Sequence, residues 1–118
     1  MIFSEILKGV TEEVKGGRGA VVVGMDGIIV DEYVKTPGMD LQSIGAEYGN
    51  ILKGVQRASI SLNMGGAKEM AVMADSCGLV LRKINEEYFL ALLMSPNANL
   101  GKGRFALRMA ANKLEKEL

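Results

Sequence analysis

The sequence predicts an α/β chain of the α+β kind: a five-stranded, mostly antiparallel sheet between helical layers, in the order α-β-β-α-β-β-β-α. Three observations predict it. Three stretches carry apolar residues at three-to-four spacing, the mark of a helix with one buried face. Five shorter apolar runs lie between them, several rich in valine and too short for helices. Tight polar turns join the runs within each group, so neighbouring strands run antiparallel.

The first helix shows Phe3, Ile6, Leu7, Val10 and Val14 on one stripe and stops at Gly16-Gly17. Ala20–Met25 is the first strand. Asp26-Gly27 follows, then Ile28–Val30, and an Asp-Gly pair between apolar runs signals a hairpin with a two-residue type I′ turn. Lys35-Thr-Pro-Gly38 breaks the chain. Asp40 is then suited to cap a helix, because its carboxylate accepts from the free N–H groups of the first turn. Met39 and Ile44 sit at the positions of a hydrophobic staple.

The helix after Asp40 presents Leu41, Ile44, Tyr48, Ile51, Leu52, Val55, Ser59 and Leu62 on one face and ends at Gly65-Gly66. At about 23 residues it is the longest element, despite Gly45, Gly49 and Gly54. Each interior glycine costs roughly 1 kcal/mol relative to alanine. Gly45 and Gly49 align with Lys53, Gln56 and Ile60. Two readings are open for that line: small residues let the helix lie close on its own sheet, or they admit a helix from a second chain. The second is preferred, because the line lies largely opposite the apolar face.

Three strands come next: Glu69–Ala74, Leu79–Ile84 and Tyr88–Met94, joined by turns at Asp75–Gly78 and Asn85-Glu86. The unbroken apolar character of Ala20–Val23 and Tyr88–Met94 fits central strands covered on both faces. Ser95-Pro-Asn97 breaks the chain before a last helix with Leu107, Ala110, Ala111, Leu114 and Leu118 on one side. Residues 1–118 read as a single domain.

Composition excludes several chemistries. The chain has no histidine and one cysteine, Cys77. Ser-His-Asp and Cys-His triads and histidine- or cysteine-based zinc sites are therefore out of reach. Glu12-Glu13 and Glu86-Glu87 are adjacent pairs whose side chains diverge, so neither converges on one reacting atom. Asp26, Asp31 and Glu32 lack the spacing of a calcium loop. Gly101-Lys-Gly-Arg-Phe-Ala106 matches a dinucleotide-binding pattern formally. It lacks the following strand and acidic residue that the chemistry requires. No cofactor, metal or small-molecule substrate is expected, and no enzyme active site.

Lys and Arg number 14, and Asp and Glu 14, which argues against a nucleic-acid partner. No apolar run reaches the length of a membrane span. With the unpaired cysteine, these features suggest a cytoplasmic protein. The charge is uneven: residues 1–50 hold four basic and eight acidic side chains, and residues 51–118 hold ten basic and six acidic. Lys53 and Arg57 lie four apart on the long helix, and Lys102, Arg104 and Arg108 cluster at the start of the last one. A solvated face explains them simply; an anionic protein partner is the alternative.

Gly19-Ala-Val-Val-Val with Asp26-Gly-Ile-Ile-Val30, the long helix closing in Gly65-Gly66, and Asn97-Ala-Asn-Leu-Gly101 leading into Ala106-Leu-Arg-Met-Ala-Ala111 come in a telling order. Across nearly the whole chain the sequence resembles the roadblock family, the dynein-light-chain-related modules that include a bacterial polarity regulator. The resemblance implies a roadblock/profilin-like sheet and a homodimer in which the third strands pair edge to edge and the middle helices pack together. Gly45, Gly49, Lys53, Gln56 and Ile60, with Met70 and Val72 of the pairing strand, would form that interface.

The resemblance further implies a small Ras-like GTPase as partner. Lys53, Arg57, Lys102, Arg104 and Arg108 would then contact it, and any stimulation of hydrolysis would come from repositioning the GTPase's own groups. The alternative is a non-catalytic dimeric adaptor within a larger motor or signalling complex.

Overall fold

A computed structural model of the chain describes residues 2–118. It contains α1 (Ile2–Glu13), β1 (Gly17–Gly24), β2 (Ile29–Val34), α2 (Leu41–Ser61), β3 (Glu69–Met73), β4 (Gly78–Lys83), β5 (Tyr88–Met94) and α3 (Leu100–Glu115). The strands form one sheet in the order β2-β1-β5-β4-β3, with every neighbouring pair antiparallel. The expected fold class and element order are the observed ones.

The two continuous apolar runs lie at the centre. β5 is buried along its length apart from half-buried Tyr88, and β1 pairs with it from Gly17 to Gly24. Successive side chains of a strand point to opposite faces, so a fully apolar strand must be covered twice. On one face Leu90, Leu92 and Met94 of β5, with Val22 and Val80, meet Leu7, Val10 and Val14 of α1 and Leu107 and Leu114 of α3. On the other, Phe89, Ala91 and Leu93, with Val21, Val23, Leu79 and Leu81, meet Leu41 and Leu52 of α2. Two helices thus cover one face and a single helix the other.

Several boundaries and one turn differ from the sequence reading. β2 extends to Val34 through the polar residues Asp31 and Glu32, which an edge strand tolerates because one face is wet. The first hairpin closes through a three-residue loop, not a two-residue one. The Gly24 N–H donates to the Ile28 carbonyl at 2.8 Å, and the Gly27 N–H to Gly24 at 2.9 Å. Only Gly27 of that loop takes a positive φ, +88°, as in a type I turn followed by a left-handed residue. Asp40 caps α2 as expected: its carboxylate accepts from the Ser43 N–H at 3.1 Å and the Ser43 hydroxyl at 2.7 Å. Those bonds hold its pKa below the ordinary value.

The glycine line on α2 requires a correction. Gly45 and Gly49 are buried with Leu41 and Leu52 and face the chain's own sheet. A Cβ on Gly45 would come within 3.1 Å of Val23, and one on Gly49 within 3.2 Å of the Phe89 ring. Side chains rising from β1 and β5 occupy the space a larger residue would need. The close approach is therefore between helix and sheet, and these two glycines cannot receive a second helix. The buried face of α2 is rotated accordingly, leaving Ile51 exposed and Ile44, Tyr48 and Val55 half-buried.

Candidate partner-binding surface

The single-helix face ends in an open edge. β3 is the last strand of the sheet and pairs only with β4, from Glu69↔Arg82 to Met73↔Gly78. Its outer edge presents unpaired backbone groups, the form of surface that adds a further strand. Met70 and Val72 are half-buried and turn toward the α2 side of the sheet, packing on its core. The C-terminal part of α2 and the loop that leads into β3 carry exposed apolar side chains: Ile60 at 62%, Leu62 at 69% and Met64 at 74%. Met73, at the end of β3, is also exposed. Large apolar groups left exposed on the segments that lead into and end an open edge strand mark a candidate contact surface there.

The loop between α2 and β3 is fixed by one side chain. The Gln56 carboxamide donates to the Ala67 carbonyl at 2.7 Å and accepts from the Ala67 N–H at 2.8 Å. An amide satisfies both backbone groups of one residue in this way, as a paired strand would. Gln56, expected at a dimer interface, is thus already engaged with its own chain, and it sets where β3 begins. Asn63, with φ of +61°, turns the chain out of the helix. Lys53 is half-buried and Arg57 exposed, both on α2.

The remaining expected partner contacts lie on the opposite face of the sheet, on α3. Lys102, Arg104 and Arg108 are all exposed there. Arg104, however, is committed within the chain. Its Nε donates to Glu69 Oε1 at 2.7 Å and its Nη2 to Oε2 at 3.1 Å, while Arg82 lies 3.5 Å from the same carboxylate. The bond from Arg104 is the main cause that holds the Glu69 pKa below its ordinary 4.5; the nearby charges of Arg82 and Arg108 act in the same direction, and partial burial opposes them. A two-point bond of this kind fixes Arg104 as a clamp between α3 and β3. Arg104, expected to contact a partner, thus already has an acidic partner within the chain. The five cations expected to contact a partner are divided between two faces, Lys53 and Arg57 on α2 and Lys102, Arg104 and Arg108 on α3.

Two motifs singled out in the sequence have local packing roles. A Cβ on Gly103 would meet Met94 Sδ at 3.0 Å, so this glycine lets α3 lie close on β5. Asn99 caps α3 by accepting from the Lys102 N–H at 3.0 Å. Cys77 is half-buried against the α2-side core. Sequence reasoning did not reach the bond from Arg18 Nη1 to the Ser76 carbonyl at 2.8 Å, which ties the start of β1 to the β3–β4 turn. Nothing in the local pattern of either segment signals that link, because β1 and β4 are two strands apart in the sheet. Among the described residues, no helix is long and apolar enough to cross a membrane.

A five-stranded antiparallel sheet with one long helix on one face and two terminal helices on the other defines a roadblock- or profilin-like module. Comparison with solved structures agrees. The chain is 35% identical to MglC from Myxococcus xanthus over 100% of both chains, with a TM-score of 0.72. It matches a Roadblock/LC7 domain from Streptomyces avermitilis at 17% identity, over 97% of this chain and 95% of that one, with a TM-score of 0.87. Myxococcus xanthus MglB matches at 12% identity, over 99% and 94%, with a TM-score of 0.89. No protein-family model and no curated relative matches the chain. The chain belongs to the roadblock family.

Proposed function

We propose that this protein is a homodimeric regulator of a small Ras-like GTPase. The observation that carries the reading is the open β3 edge beside the exposed apolar end of α2, in a chain of the roadblock family. Two copies pair through their β3 strands, and Met70 and Val72 continue the α2-side core across the junction. Ile60 and Lys53 lie at the margin of the helix contact, while Gln56 holds the edge in register. Gly45 and Gly49 serve the fold of each copy and not the junction.

The GTPase docks on the platform made by the paired long helices. Lys53 and Arg57 supply its basic contacts, and Lys102 and Arg108 on the other face supply a second set. The regulator has no active site of its own and acts by repositioning the GTPase's catalytic groups. An inserted arginine would instead contribute on the order of 10³–10⁵ in rate.

Single-turnover GTP hydrolysis by a Ras-like GTPase, with and without saturating protein, tests the proposal. Acceleration that falls only a few-fold in Arg57→Ala and Arg108→Ala supports repositioning. A fall of about a thousandfold in either variant identifies an inserted arginine. Tight binding with unchanged hydrolysis overturns the activator reading and assigns the chain to the adaptor class.

A further inference from the structure

The two-helix face bears a charge pattern of which the regulator reading uses only Lys102 and Arg108. α1 carries Glu5, Glu12 and Glu13 against one lysine, Lys8. α3 carries Lys102, Arg104, Arg108 and Lys113 against one acid, Glu115. The helices run antiparallel. Glu5, Gly9 and Glu13 share an open groove of about 460 Å³ with Met109, Lys113, Lys116 and Glu117. At the other end, Glu12 and Glu13 lie by Lys15, Lys35, Asn99 and Lys102. An acidic row thus runs beside a basic row, yet none of the three ion pairs among the described residues joins α1 to α3.

Two further features mark the same face. Phe105 is 59% exposed and Met109 41%, one helical turn apart on α3. Across the groove, Gly9 sits inside α1 with nothing within 4 Å of where its Cβ would be. Packing within the chain does not require that glycine, which costs about 1 kcal/mol relative to alanine.

We infer that this face binds the same face of a second copy of the chain, with the two-fold axis running along the groove. That axis sets α1 of each copy over α3 of the other. The Glu5 end then meets the Lys113 and Lys116 end, the Glu13 end meets Lys102, and the bare crest at Gly9 receives Phe105 and Met109. A two-fold axis across the groove would set α1 on α1 and oppose glutamate to glutamate, so the charges select the first arrangement. A uniformly acidic segment or an anionic membrane would meet repulsion from the α1 row, whereas a second copy matches both rows.

Two helices of 12 and 16 residues expose roughly 500 Å² per copy. About 1,000 Å² in total is at the lower margin for a specific contact, so the association is weak and reversible. It covers Lys102, so it competes with the GTPase for that residue, but leaves the α2 side and the β3 edge uncovered. Where those also pair, mass grows in steps of a dimer.

Sedimentation velocity over a concentration series, at physiological salt, reads the contact. Wild type is expected to grow beyond its dilute-solution mass, and Phe105→Ser to weaken that growth about tenfold. Two charge variants, Glu5→Lys/Glu13→Lys and Lys102→Glu/Lys113→Glu, should each fail to grow alone and should associate when mixed. All four side chains are on exposed helix positions, so folding is retained, and circular dichroism checks it.

A wild-type mass independent of concentration overturns the inference, as does growth that persists in both charge variants. Binding of wild type to phosphatidylserine vesicles without self-association overturns it in favour of a membrane surface. A dimer lost in Phe105→Ser but kept when the β3 edge is blocked by Ala71→Pro would support this contact and contradict the β3-edge dimer. The opposite result would do the reverse.

Discussion

The two faces of the sheet solve the same burial problem with different amounts of cover. On the α1/α3 side, two helices bury fifteen of the described residues in one continuous core. On the α2 side, one helix buries nine, and the half-buried residues Met70, Val72 and Cys77 continue beyond it toward the sheet edge. The doubly covered face carries the fold. The singly covered face keeps apolar surface and an unpaired strand edge, which is why the proposed dimer junction belongs there. The comparison teaches that exposure on this molecule follows topology: β3 comes last in the sheet order, and α2 does not extend over it.

The largest expected effect comes from the core of the doubly covered face. Leu107→Ala, at a fully buried position, should destabilise the chain by about 3 kcal/mol in urea unfolding. Leu52→Ala on the other face should cost a similar amount and also loosen α2, seen as faster amide hydrogen exchange along that helix. Equal exchange in both variants would break the comparison.

Gly49→Val comes next. Its side chain would press on Phe89, now 3.2 Å from the Cβ position, and should cost about 2 kcal/mol in the isolated chain. Gly9→Ala meets nothing and should instead stabilise by up to about 1 kcal/mol. The opposite signs, read as thermal midpoints, distinguish a glycine needed for sheet contact from one that is not.

Gln56→Ala removes both bonds to Ala67 and should cost about 1–2 kcal/mol. Faster exchange of the Ala67 N–H would locate the loss at the entry to β3. The smallest effect is at Glu69. Its carboxyl titrates below the ordinary 4.5 in the folded chain because Arg104 is bonded to it, so its contribution is present above that value. It is lost as pH falls through the lower native pKa. Glu69→Gln should therefore flatten the acid limb of a stability-versus-pH curve and lower stability at neutral pH by about 1 kcal/mol or less. An unchanged acid limb would show that the clamp between α3 and β3 contributes nothing measurable.

Most of the fold was legible because period and punctuation agree along the chain. Ala20–Val23 and Tyr88–Met94 read as doubly covered strands, which they are apart from half-buried Tyr88, and Asp40 read as a cap, which is present. The surface was less legible. The facing of Gly45 and Gly49 depends on Val23 and Phe89, which come from distant strands, and helix spacing alone could not reveal them. Arg104 looked like a free cation because its partner, Glu69, is 35 positions away in sequence. Gln56 is tied to a loop residue for the same reason. Periodicity reports which side of an element is apolar, whereas the identity of its neighbour is set by the sheet order.

The claim that the open β3 edge and α2 face make this chain a dimer is tested most directly by its mass in solution. Light scattering on dilute protein should give about twice 12.7 kDa. A single species at 12.7 kDa at micromolar concentration would contradict it.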